Sequence, residues 1–145
     1  MDELEKARQC AAVMMAKDNA SKSLGIDVEI PSPGSAVARM EVTETMLNGF
    51  AVCHGGHIFT LADTAFAFAC NAYDRLTLAA AANIDFLSSA YLGDKLVATA
   101  VECNRGGRMG VYDVRVINQD AKEVAVFRGK SYATSKSLLT DEPIT

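Results

Sequence analysis

The stretch "HGGHIFTLADTAFAFACNAY", residues 54–73, decides how this chain is to be read. Ile58, Leu61, Ala62, Ala65, Ala69 and Ala72 fall on one face of a 3.6-residue wheel. Phe59, Asp63, Phe66 and Cys70 fall on the adjoining face, and Thr60, Thr64, Ala67 and Asn71 are small or mildly polar. Between His57 and Asp74 no Lys, Arg or Glu marks a solvated side. A helix so apolar all round is a buried helix. One sheet wraps only part of such a helix, so the remainder calls for a second copy of the chain, and a homodimer is expected.

Outward from the helix, period-two patterns take over. In "AVARMEVT", Ala36, Ala38, Met40 and Val42 alternate with Val37, Arg39, Glu41 and Thr43, which predicts a half-buried strand. "SLGIDVEI" is a further strand, closed by the turn "PSPG". Four strand-like runs follow the helix: "LTLAAAANIDFLSS", "KLVATAVECN", "MGVYDVRVINQ" and "EVAVFRGKSYA". They are separated by "AYLGD", "RGGR" and "DAK", links too short for a crossover helix, so antiparallel hairpins are expected between neighbours. Leu4, Ala7, Ala11, Met14 and Met15 lie at helical spacing and predict an amphipathic N-terminal helix within 1–20. The fold class is therefore α+β, one domain over 1–145, with a flexible tail expected at 137–145.

Bulk properties narrow the function. A chain of 145 residues that is 50% apolar has enough material for a core without covalent staples. A net charge of −4 with no dense basic run disfavours nucleic acid and anionic membrane as partners. The N-terminus is acidic and broken by charges, unlike a signal peptide, and no apolar run is long enough to span a bilayer. Cys10, Cys53, Cys70 and Cys103 show no C-x-x-C spacing, which favours reduced thiols and a cytoplasmic location.

Two features could carry chemistry. Asp63 interrupts the apolar helix; burial there would raise its pKa and make it a better base or nucleophile, unless a neighbouring hydroxyl or amide merely satisfies it. His54-Gly55-Gly56 stands at the helix mouth, where the first N–H groups lack intrahelical partners and glycine lets a ligand approach closely. That suits an oxyanion hole, although a glycine pair is also simply a turn. His54 and His57 lack a carboxylate or thiol in register, so no metal is expected. Cys53 and His54 are sequence neighbours whose side chains should point apart, which disfavours a dyad; the other three cysteines read as small apolar residues. Asn48 is a turn residue or an amide that orients the loop or a substrate. Arg105, Arg108, Arg128 and Lys130 are surface charges and also the cations available to a phosphate-bearing ligand.

Asn48-Gly49, His54-Gly55-Gly56 and Leu61-Ala62-Asp63 form the pattern N-G-x-x-x-x-H-G-G-x-x-x-x-L-A-D. This resembles the hot-dog-fold acyl-CoA thioesterases, most of all the phenylacetate-degradation (PaaI-type) branch, over roughly residues 35–135. The resemblance implies a long helix wrapped by a curved antiparallel sheet, active sites at a dimer interface, and tetramers built from two dimers. It implies hydrolysis of an acyl-CoA of aryl or phenylacetyl type, with no cofactor beyond the CoA of the substrate. By position, Asp63 would be the catalytic carboxylate, Gly55 N–H the donor to the thioester carbonyl, Asn48 a positioning group, and His54 a support of the loop. Gly56, Phe59, Phe66, Thr77, Arg105, Arg108 and Lys130 are the candidate substrate contacts. Relatives often carry a Ser or Thr on the strand after the helix to hold the water; here that stretch is "LAAAAN", with Thr77 the nearest hydroxyl. Two rival functions stand beside hydrolysis: a 3-hydroxyacyl-CoA dehydratase or hydratase using Asp63 with His54, and a non-catalytic acyl-CoA-binding module.

Overall fold

The computed structural model describes residues 1–140. Its elements are α1 (Glu3–Lys17), α2 (Asn19–Ser23), β1 (Asp27–Glu29), β2 (Ser35–Glu41), a 3-10 turn (Glu44–Met46), α3 (Gly55–Cys70), β3 (Thr77–Phe86), β4 (Lys95–Gly106), β5 (Met109–Ile117) and β6 (Glu123–Ala133). The strands form one antiparallel sheet in the order β1-β2-β4-β5-β6-β3, and α3 packs against five of them. This is the α+β arrangement of a hot-dog fold, with the N-terminal helix added.

Alternation fixes which sheet face meets α3. Along β2, Ala36, Ala38 and Met40 are buried, and along β5, Tyr112, Val114 and Val116 are. These meet Ile58, Leu61, Ala62, Ala65, Phe66 and Ala69 of α3 in one core. The aromatic centre needs a notch: a Cβ on Gly129 would lie 2.6 Å from Cε1 of Phe66, so only glycine leaves room for that ring. Phe66 packs edge-on to Tyr112 and beside Phe127. Leu4, Ala7, Ala11, Met14 and Met15 of α1 all turn toward the core, as the spacing predicts.

Several expectations are corrected. The strand read in "SLGIDVEI" shrinks to three residues, because Asp18 caps a short helix over 19–23, its carboxylate accepting from Ser21 N–H at 2.9 Å. β3 and β4 are not a hairpin: β3 pairs with β6 at the far edge. Eight residues, 87–94, span the three strand spacings between β3 and β4, about 14 Å, well within the roughly 26 Å such a segment can reach. Of the segment 137–145, where a flexible tail is expected, Ser137 Oγ and the N–H groups of Leu138 and Leu139 donate to Asp74 at 2.7–2.9 Å, and residues 141–145 lie outside those described. Cys103 is exposed beside a bulge in β4 rather than packed in the core.

Candidate active site

His54 is the N-cap of α3. Its Nδ1 accepts the Gly56 N–H at 3.1 Å, so the neutral imidazole carries its own hydrogen on Nε2. The Ile58 and His57 N–H groups reach the His54 carbonyl. Gly55 N–H is the first donor of the helix and makes no hydrogen bond among the described residues. The glycine also admits a close neighbour: a Cβ there would sit 3.0 Å from Cζ of Phe86, whose ring lies over the helix mouth while half of it stays exposed.

The preceding loop is tightly tied. Asn48 Oδ1 accepts from Phe50 N–H at 2.9 Å and Val52 N–H at 3.4 Å, and Asn48 N–H donates to the Val52 carbonyl at 2.8 Å. Cys53 N–H donates to Ala90 carbonyl and His54 N–H to Met46 carbonyl. The turn role of Asn48 thus uses its oxygen and leaves its amide N–H groups to other contacts. Cys53 is buried and donates weakly to the His54 carbonyl, whereas the His54 ring is exposed, so the two side chains diverge.

Asp63 lies two turns into α3, on the stripe Gly56, Thr60, Asp63, Ala67 that the sheet leaves uncovered. Its carboxylate is half-buried and accepts no hydrogen bond among the described residues. Desolvation lifts its pKa above the ordinary carboxylate value, and the negative charge of Asp18 adds to the lift. Both effects make it a better proton acceptor than a hydrated aspartate.

The remaining candidates separate. Phe59 is half-buried against Phe127 at 5.4 Å between ring centroids. Phe66 is 1% exposed and filled into the Gly129 notch; its ring is committed to the core and offers no surface to a ligand. Lys130 sits with Arg128 on the face of β6 turned away from α3, opposite Gly129 and Ser131, and does not line the cavity that Arg105 and Arg108 share. Thr77 starts β3 beyond the end of α3, where its hydroxyl donates to the Arg75 carbonyl at 2.9 Å. Asn71 bridges the same junction, donating to the Thr77 carbonyl and accepting its N–H.

Arg105 and Arg108 share with Thr77 a cavity of about 340 Å³ at the C-terminal end of α3. Tyr73, Arg75 and Ser131 also line it, and none was singled out in the sequence. Arg75 lies two residues before the start of β3 and Ser131 follows the inward-facing Gly129 by two residues, signals that point to the cavity only once the pairing of β3 with β6 is known. No group of His, Cys, Asp and Glu among the described residues could hold a metal ion. No helix among them is long and apolar enough to cross a membrane.

Comparisons with known proteins agree with this geometry. Residues 50–125 match the thioesterase superfamily model. The acyl-coenzyme A thioesterase PaaI of Escherichia coli (strain K12) is 50% identical over 127 residues, covering 88% of this chain and 91% of the relative. The solved structure of the E. coli PaaI protein from the phenylacetic acid degradation operon superposes with a TM-score of 0.91 at 46% identity, over 94% of this chain and 99% of that one. A Streptococcus mutans UA159 protein solved with acetyl CoA bound gives a TM-score of 0.73 at 29% identity, over 77% of this chain and 90% of that one. With the helix-mouth glycines, the embedded Asp63 and the six-stranded wrap all in place, the chain belongs to the thioesterase superfamily, in its hot-dog form.

Proposed function

We propose that this protein is an acyl-CoA thioesterase whose two reacting groups come from two copies of the chain. One observation carries the reading: Gly55 N–H and the Asp63 carboxylate are both without partners among the described residues, yet lie eight residues apart on one helix. Eight residues rise about 12 Å, so one protomer cannot bring both to a single carbonyl carbon. A second copy, reversed, can. The exposed edge strand β3, open on both faces from Leu78 to Asn83, and the uncovered stripe of α3 supply a surface for it. Antiparallel pairing of β3 with its twin would set the Thr77 end of one copy against the Phe86 and Gly55 end of the other, giving a homodimer as the minimum unit.

In that arrangement the thioester oxygen accepts the partner's Gly55 N–H. Asp63 either takes a proton from the water whose oxygen attacks the carbonyl carbon, or attacks that carbon with its own oxygen to give a mixed anhydride that water then opens. The carbon–sulfur bond breaks, the CoA thiolate leaves and takes up a proton, and the carboxylic acid is released. No metal or redox group enters this balance. Asn48, through its free amide N–H groups, and half-buried Phe59 are the substrate-positioning contacts on this reading; an aryl or phenylacetyl acyl group follows the likeness to PaaI.

The test is complementation. Chains carrying Asp63→Asn and chains carrying Gly55→Pro are each assayed with a panel of acyl-CoAs and a thiol-reactive dye, then unfolded, mixed and refolded together. Each pure variant is expected to be nearly inactive, and the mixture to regain a substantial fraction of wild-type thiol release, because every mixed dimer holds one intact site. A mixture as inactive as its parents would refute the shared site; wild-type chains that bind acyl-CoA without releasing thiol would refute the hydrolase.

A further inference from the structure

A second acid stands close to the turn of α3 that carries Asp63. Asp18 sits where α1 ends and α2 begins, its N–H donating to the Met15 carbonyl at 3.3 Å and its carboxylate capping α2. One residue holds both carboxylate oxygens: Oδ1 accepts the Ser21 N–H at 2.9 Å and Oδ2 accepts the Ser21 hydroxyl at 2.7 Å. Ser21 is 1% exposed, and its Oγ meets Thr64 Oγ1 of α3 at 3.4 Å. Thr64 in turn donates to the Thr60 carbonyl at 2.7 Å. Asp63 immediately precedes Thr64, so the chain Asp18–Ser21–Thr64 ends at the side chain next to it. The core around this chain is apolar, and a satisfied polar contact there fixes how α2 sits on α3.

Neither Asp18 nor Asp63 pairs with a Lys or Arg among the described residues. The cations of α1 and α2 turn elsewhere: Lys6 to Glu3, Arg8 to the Ile30 carbonyl and Lys22 to the Ala16 carbonyl. Cys70, seven residues along α3, has its thiol pushed up to about 12, by burial first, and stays neutral. His57 lies six residues earlier, on another side of the helix. The strands packed on α3 turn mainly apolar side chains toward it; Tyr112 donates to Glu102 at 2.8 Å. Two donors hold the Asp18 charge and none holds that of Asp63, so of the two acids Asp63 is the one left to take up a proton. Burial lifts the Asp63 carboxyl above the ordinary carboxylate range, and the charge of Asp18 lifts it further.

We propose that Asp18 is a positioning residue for hydrolysis: locked against α3 through Ser21 and Thr64, its negative charge favours each step in which Asp63 gives up its own. This rests on the acyl-CoA thioesterase reading above. The effect is the same for both routes of attack. As a base, Asp63 becomes a neutral carboxylic acid. As a nucleophile, it becomes one side of a neutral anhydride, while the carbonyl oxygen takes the negative charge at the partner's Gly55 N–H. Either way the repulsion between two neighbouring carboxylates is relieved as the transition state forms, which lowers the barrier rather than tightening substrate binding. Asp18 itself exchanges no proton and touches no substrate.

Asp18→Asn and Asp18→Ser both remove the charge and keep an oxygen able to cap α2, so the fold should persist, whereas Ser21→Ala keeps the charge and cuts the link to Thr64. Full-length chains carrying carbon-13 at the aspartate carboxyls are titrated by NMR, the Asp63 signal being the one lost in Asp63→Asn. Thiol release from one acyl-CoA is followed against pH in the same chains. With the neighbouring charge gone, protonated Asp63 is less favoured, so its midpoint and the acid limb of kcat/KM should both move to lower pH in the two Asp18 variants. Above that limb kcat should fall about twofold to fivefold, with KM unchanged. Ser21→Ala should move the midpoint in the same direction and by less. A midpoint and a limb that stay in place in both Asp18 variants would overturn the proposal. So would a rate loss without movement of the limb, which marks a merely structural role, or a shift in Ser21→Ala as large as in Asp18→Asn. Wild type that cleaves no thioester would sink the hydrolase reading alone, because the NMR midpoint reports the influence of Asp18 on Asp63 without turnover.

Discussion

Replacing Gly55 by proline isolates one N–H group. Gly55 is the first residue of α3, a position where the amide has no intrahelical acceptor and where proline is favoured. His54 precedes it with φ −60° and ψ 134°, the extended conformation that a residue before proline requires. The helix should therefore survive. The added ring contacts Phe86, because a Cβ there already lies 3.0 Å from Cζ and 3.3 Å from Cε1. Phe86 is 52% exposed in the single chain, and its ring has to give by only a few tenths of an ångström. Gly55→Ala makes nearly the same contact and keeps the N–H, so the ratio of the two variants reports the donor and little else. Loss of one oxyanion donor costs roughly 10²–10³ in kcat, about 2.7–4 kcal/mol of transition-state stabilisation. The neighbouring Gly56 N–H cannot substitute, since His54 Nδ1 already accepts it. The assay is initial-rate thiol release, with circular dichroism and thermal unfolding to verify the fold. Gly55→Pro turning over within threefold of Gly55→Ala, both folded, would refute the role given to this amide.

Asp63→Asn should lower thiol release by about 10²–10⁴ while raising stability at neutral pH. A carboxyl whose folded pKa stands above its unfolded one binds protons more tightly when native, so native stability falls as pH rises through that interval and stays low above it. Asparagine escapes this loss; urea titrations should show the variant more stable at pH 7 and the gap closing as pH drops below about 3.9. A variant less stable at pH 7, or one with wild-type turnover, contradicts the assignment. Gly129→Ala pushes a methyl to 2.6–2.8 Å from three atoms of the Phe66 ring, which is 1% exposed and has nowhere to go. Overpacking of about 1–3 kcal/mol outweighs the roughly 0.4–1 kcal/mol that alanine gains by restricting the unfolded chain. Calorimetry should show Tm lower by a few degrees, at about 2–4 °C per kcal/mol, with Phe66→Leu restoring part of it; an unchanged Tm would show that the notch is not tight.

Much of this protein is legible in its residue order. A run from 58 to 73 without Lys, Arg or Glu forces a buried helix, alternation in 36–43 forces a half-buried strand, and both need only local periodicity. Asp63 and Gly55 stand out for the same reason: each breaks a local pattern. What sequence could not supply depends on contacts between distant segments. β3 reads like the first arm of a hairpin with β4, and only the whole sheet sends it to β6 at the edge. Phe66 shares a wheel face with Asp63, yet the missing side chain at Gly129, 63 residues away, draws its ring into the core. Lys130 and Ser131 are adjacent in sequence, and strand alternation turns one outward and the other into the arginine cavity. Periodicity is a property of neighbours along the chain, whereas a cavity is closed by strands paired across it, so the helix and its acid were written locally and the cavity at the end of the helix was decided by the sheet.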